Sequence, residues 1–182
     1  GRLTPGSNSC NGVTMMHLEV ACPVFHSLHG VGTVESLEHK EFLNKPTRFA
    51  TISFQDDRLK IMVNLDQRNS MLRPLMTAEQ VEGVLDFLKT HCNDSVITKS
   101  THRYNLNLQK IKSGDINSLC EVIKELSGLL EEKRLTQKEH TMLEQSRKIL
   151  ASELSEVTQR PQDEMVELIC TTCGLSAELA KV

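Results

Sequence analysis

Two residue pairs in the chain have the spacing of a metal or redox site. Cys170 and Cys173 bracket two threonines. A C-x-x-C pair can exchange thiols for a disulfide or supply half of a zinc site. A structural zinc needs four ligands, and no second C-x-x-C or C-x-x-H is present. The pair also trails a helical apolar stripe rather than a strand, so two ordinary thiols on a terminal helix are expected. His26 and His29 stand three apart, with His17 upstream. A metal there would need another ligand, and no carboxylate sits at helical spacing; the neighbouring glycines point to a turn. No G-x-S-x-G, no glycine-rich phosphate loop closed by Lys-Ser/Thr and no H-E-x-x-H occurs. The expectation is therefore no metal, no cofactor, no catalytic residue and no enzyme.

The other chemistry is electrostatic. The stretch 96–114 holds Lys99, His102, Arg103, Lys110 and Lys112 and not one carboxylate. The whole chain carries a net charge of −3, so any phosphate contact must come from a local patch. Lysine and arginine side chains displace phosphate counterions and give salt-sensitive affinity that is blind to base sequence. Arg147 and Lys148 would join the patch if the fold brings them alongside. On charge alone, a solvated helix face is the commoner reading of such a stretch.

These residues must be held by two kinds of element. The first half reads as strands. Ala50, Ile52 and Phe54 alternate on one face, as do Leu59, Ile61, Val63 and Leu65, with a polar turn at 55–57 between them. Thr33–Leu37 is a further short strand, and Gly30 and Gly32 before it favour a bend in a small barrel. From Thr77 the period becomes helical. Thr77 with Gln80 makes a capping box, and Val81, Val84, Leu85 and Leu88 form a stripe. Helices are expected over 77–91, about 101–112, from Asp115 onward, from Thr136 to about Val157, and after Pro161. Thr136 with Glu139 is a second capping box; Gly114 and Asp115 are a stop and a start. The fold class is α+β with two domains, a small β barrel followed by an all-α bundle. Residues 1–14 read as a polar leader, 15–75 as the β domain and 76–182 as the helical domain, with a linker at 92–99. No run approaches the ~20 apolar residues of a membrane span. Six cysteines without a secretion signal suggest a reducing cytoplasm.

Several runs carry a resemblance. Arg103-Tyr104, Asn107-Leu108, Lys110 and Ser113-Gly114-Asp115, then Glu121-Val122 and Leu126, are similar to consecutive helices of the bacterial CarD/CdnL family. So is the run from Leu135 through Glu139, Met142, Arg147 and Ile149 to Glu153-Leu154. His29-Gly-Val-Gly-Thr-Val-Glu35 and Leu72-Arg73-Pro74 resemble its β domain and the entry to its linking helix. The likeness runs in order from about Leu18 to Glu153. It implies a Tudor-like barrel that binds the RNA polymerase β subunit, and a helical domain that touches promoter DNA at the upstream edge of the transcription bubble. Together they would stabilise the open complex. Lys40, Lys60 and Met62 are then the polymerase-side residues. Lys99, His102, Arg103, Lys110, Lys112, Arg147 and Lys148 are the DNA-side ones.

The departures from the family pattern matter. Ser100 stands where the family often has a tryptophan wedge at the upstream fork, and the chain contains no Trp. A serine cannot fill space beside unstacked bases. His102 replaces an arginine, Lys40 stands where relatives use an arginine, Met62 takes a basic position, and His26-Ser27 replaces Tyr-Pro. The expectation is a bacterial, cytoplasmic, monomeric regulator without base specificity. Its rivals are a paralogue that binds protein but not DNA, and a C-x-x-C thiol or zinc protein.

Overall fold

A computed structural model describes residues 17–55, 58–67, 71–90 and 99–174. The expected leader, the turn residues Asp56 and Asp57, and the linker up to Thr98 lie outside the described residues. Five strands come first: β1 Pro23–His26, β2 Gly30–Phe42, β3 Lys45–Phe54, β4 Leu59–Asn64 and β5 Leu72–Arg73. Five helices follow: α1 Ala78–Lys89, α2 Ser100–Lys112, α3 Ile116–Glu131, α4 Gln137–Thr158 and α5 Gln162–Thr172. The α+β arrangement expected from the change of period is the one observed.

The sheet is antiparallel in the order β4-β3-β2-β1-β5. Its inner face gathers Val24, Val34, Ala50, Ile52, Phe54 and Val63 into one cluster, and Leu59, Ile61 and Leu65 pack on it. The two alternating runs read from sequence thus face the same core. The sheet bends where β2 carries one extra residue: Val34 pairs with Ile52 but Ser36 with Thr51, leaving Glu35 in a bulge. Gly32 sits where any side chain would collide with Ile52 and Phe54.

One strand is far longer than its sequence suggests. β2 continues through Glu38-His39-Lys40-Glu41 to Phe42, where alternation is hidden by charge. It turns back at Leu43-Asn44, with φ of 51° and 62°. Two left-handed residues are what a tight two-residue hairpin requires, and Asn tolerates this far better than Leu. Phe42 and Phe49 meet edge to face at 5.9 Å and close the hairpin.

The helices start where their caps are. Thr77 and Thr136 each accept the amide three residues on, from Gln80 and Glu139, and those side chains return the bond. Asp115 caps α3 by accepting the Ser118 amide at 2.9 Å. Leu119, Val122, Ile123 and Leu126 of α3 pack with Met142, Leu143, Leu150 and Leu154 of α4 and Met165 and Ile169 of α5. Phe25 of β1 belongs to this same helical core.

Sheet and bundle are joined by ionic contacts as well as apolar ones. Arg73 donates to both oxygens of Glu153 at 2.6 and 2.7 Å, and to the Gly114 carbonyl at 2.6 Å. Its guanidinium lies 3.7 Å from the centroid of the Phe25 ring. Glu153 is fully buried on α4 and also accepts the Met76 amide at 2.7 Å. Beside it, Ser152 accepts the Val31 amide at 3.1 Å. A buried ion held this way is costly to orphan, because removing one partner leaves an uncompensated charge in an apolar site. Arg73→Met and Glu153→Met alone should each destabilise by about 3 kcal/mol or more in urea denaturation. The double variant should lose clearly less than the sum, because neither charge is left behind. Strictly additive losses would show that the pair does not act as a unit.

Candidate functional site

Two surfaces collect the candidate residues. On the sheet, cross-strand partners share a face. Lys40 lies opposite Thr47, Lys60 opposite Ser53 and Met62 opposite Thr51. Since Ala50, Ile52 and Phe54 point into the core, all three candidates stand on the outer face. Lys60 and Met62 are two apart on β4, an edge strand of the described sheet. Met62 and Phe42 are about half exposed there. Each lysine holds a neighbouring carboxylate, Lys40 with Glu38 and Lys60 with Glu35, both at 2.7 Å. These are exposed pairs and contribute little to stability. The face is therefore apolar patches flanked by mixed charge, next to main-chain groups that could pair with another strand.

The basic stretch does not form one patch. Lys99, Ser100 and His102 gather at the first turn of α2 around a shallow depression shared with Asn105. Lys112 is exposed at the far end of α2, roughly 20 Å along the axis at 1.5 Å per residue. Lys110 is half-exposed and tied to Glu121 at 3.0 Å. Lys148 is exposed on α4, on the side facing the sheet.

Arg103 and Arg147 correct the sequence expectation, because neither presents charge to the surface. Arg103 is 3% exposed and donates to Glu139 through Nε at 2.6 Å and a terminal nitrogen at 3.0 Å. The Glu139 hydrogen bond raises the Arg103 pKa against the opposing effect of burial. Burial acts to raise the Glu139 carboxyl, but Arg103 and the Thr136 amide outweigh it and hold the group below its ordinary value. Arg147 is 4% exposed among Ser127 and the helical core; its Nε–H has no partner and no carboxylate among the described residues pairs with it. The physical reason is helical phase. Leu143 and Leu150 are buried, and a residue four after one and three before the other points with them. Adjacent Lys148 is turned about 100° away.

Cys120, Cys170, Cys173 and His26 pack into the fold. Burial pushes the Cys120 thiol up to about 12 and Cys173 up to about 11, and raises Cys170 as well. A protonated thiol is a poor nucleophile and a poor metal ligand. Cys170 and Cys173 close the last turn of α5. His26 is buried, and its Nδ1 accepts the Leu28 amide at 3.1 Å, which makes the turn expected here. Its ring lies 4.9 Å from His29 and 5.9 Å from Phe54, centroid to centroid.

Family comparisons divide the chain where the backbone changes character. Residues 18–76 match the CarD-like/TRCF RID domain, and residues 83–170 match the CarD C-terminal domain. The chain belongs to the CarD family. A relative from Bacillus subtilis (strain 168), named "Putative transcription factor YdeB", is 27% identical over 132 residues, covering 72% of this chain and 86% of its own length. CarD-family proteins are transcription regulators and not enzymes, and the RID domain associates this CarD-family chain with RNA polymerase. No described helix is long and apolar enough to cross a membrane.

Sequence reasoning missed Glu139 and Glu153 as partners of Arg103 and Arg73. The capping box explained Glu139 locally, and no local signal revealed that its other oxygen faces an arginine 36 residues upstream. His26 supplies the pH dependence of this region. Burial, then the charge of His29, lowers its pKa from 6.5 to about 4. The folded form thus resists protonation. That contribution is complete above pH 6.5 and is lost as pH falls towards 4, to a limit of about 3 kcal/mol at 1.36 kcal/mol per unit. Urea midpoints between pH 7 and 4 should fall more steeply for the native protein than for His26→Gln; parallel curves would assign the acid sensitivity to other groups.

Proposed function

We propose that this CarD-family chain binds the β subunit of RNA polymerase with the outer face of its sheet and stabilises the promoter open complex through contacts to duplex DNA at the upstream edge of the bubble. What carries the reading is the separation of two kinds of surface across one pinned junction. Met62 and Lys60 lie on an edge strand suited to pairing with a partner's sheet. Among the described residues, no carboxylate pairs with Lys99 or Lys112 at the two ends of α2, and the Arg73–Glu153 clamp joins the end of the sheet to the bundle that carries α2. Docking at the first surface fixes where the second can reach.

The mechanism is differential binding. A regulator that holds the open promoter better than the closed one shifts the equilibrium by the difference in its affinities. With Arg103 and Arg147 turned inward, the phosphate contacts fall to Lys99 and Lys112 at the two ends of α2. Two charge-assisted contacts at about 1 kcal/mol each would prolong the open complex by more than tenfold. Ser100 offers no wedge, so the proposed contact is electrostatic and salt-dependent.

A second reading takes the chain as a protein adaptor without DNA contact. Its support is the burial of two of the seven expected DNA-side residues and the pairing of a third, Lys110, with Glu121. The discriminating measurement is the lifetime of open complexes formed by polymerase from the same organism, with and without this protein. The expected result is a longer lifetime that drops several-fold for Lys99→Glu/Lys112→Glu. An unchanged lifetime, with polymerase binding demonstrated, would favour the adaptor.

A further inference from the structure

Between the sheet and the bundle runs a cleft that the sequence did not announce. Its larger section, about 810 Å³, lies between β2–β3 and α4. A smaller section of about 270 Å³ lies between α2 and α4. Leu28, Gln145 and Ile149 border both sections, which lie side by side along α4. Along α4 its wall is Lys138, Thr141, Gln145, Lys148, Ser152 and Ser155. These follow one another at steps of three and four, a single helical stripe.

Three features of this wall set its chemistry. First, its charge is opposite to that of the chain. Glu156, at the far end, is the one carboxylate among the described residues that line either section, in a protein with 24 acidic residues. Lys138 and Lys148 have no carboxylate partner among the described residues, whereas Lys110, Arg103 and Arg160 all have one. Ten residues of helix set the two lysines about 15 Å apart along the axis of α4. Second, rings border it. His29 lines the large section and Tyr104 the small one, both half-buried, and His29 is backed by Phe54 at 5.4 Å between centroids. Third, the amides of Gln145 and Gln55 border the same space.

Unpaired cations along a groove with rings at its border are a combination by which proteins hold single-stranded nucleic acid: the cations follow the phosphates and rings can take unstacked bases. We infer that this groove between sheet and bundle is a binding site for single-stranded nucleic acid, distinct from the exposed α2 residues proposed to meet duplex DNA. The inference rests on the reading of the chain as a protein at the open promoter, where a duplex gives way to separated strands. Its test needs no polymerase, so the two can fail separately.

Fluorescence anisotropy of the full chain with a labelled twelve-nucleotide oligo(dT), and with a duplex of equal length, is the direct measurement. The expected result is tighter binding of the single strand, weakening with salt. Lys138→Glu/Lys148→Glu should reduce oligo(dT) affinity at least tenfold. Gln145→Trp, which fills the meeting point of the two sections without changing charge, should do the same. Lys99→Glu/Lys112→Glu should leave it within about twofold, since those residues do not line the groove. Oligo(dT) that fails to bind, or that binds equally to the groove variants, overturns the assignment. Binding of poly-glutamate in its place, with the same sensitivity to both groove variants, also overturns it and gives the groove to an acidic protein segment.

Discussion

The structure depends on two carboxylates buried in one helix. Glu139 and Glu153 lie 14 residues apart on α4, almost four turns, so they share a face and stand about 21 Å from each other. A buried carboxylate without a matching cation is costly, and each has found one from a different part of the chain. Arg103 brings the first turn of α2 to the start of α4, and Arg73 brings the end of the sheet to its other end. The carboxylates also take main-chain amides, at Thr136 and at Met76, so capping and docking use the same oxygens. Most of the remaining packing of the bundle is apolar. Two ionic anchors set the register of α4 against its neighbours.

Much of the fold was legible. Period alone separated strands from helices, and the capping boxes at Thr77 and Thr136 fixed two helix starts because their signal is contained within four residues. The apolar stripes of α3 and α4 named the core. What escaped was of two kinds. The hairpin of β2 and β3 was hidden because charged residues on both faces erase the alternation, and because its turn uses Leu43-Asn44 rather than a glycine. The ion pairs were hidden because an arginine reads as a surface residue until its partner is known, and the partners lie 36 and 80 residues away.

The candidate site was legible in part, for the same reason. A cluster of cations in a sequence window is not a cluster in space when it rides on a helix. Of the window on α2, one member turns inward and one is tied to Glu121, leaving cations at both ends of the helix. Lys148 belongs with Lys138, ten residues upstream, rather than with its neighbour Arg147. The resemblance to the CarD family pointed to α2 and α4 but could not say which side of each helix carries free charge. That follows only from the phase of α2 and α4 as they pack.

The strands and helices look like separable modules, since the backbone changes character near Met76. The core does not divide there. Phe25 of β1 sits among the side chains of the bundle, with Leu28 and Val31 beside it, and Arg73 reaches into the same region. Shuffling halves between relatives would therefore be constrained by compatibility across the joint. A hybrid that takes its strands from one parent and its helices from another inherits a working hinge only if both parents wrote the same arginine, glutamate and aromatic ring into it.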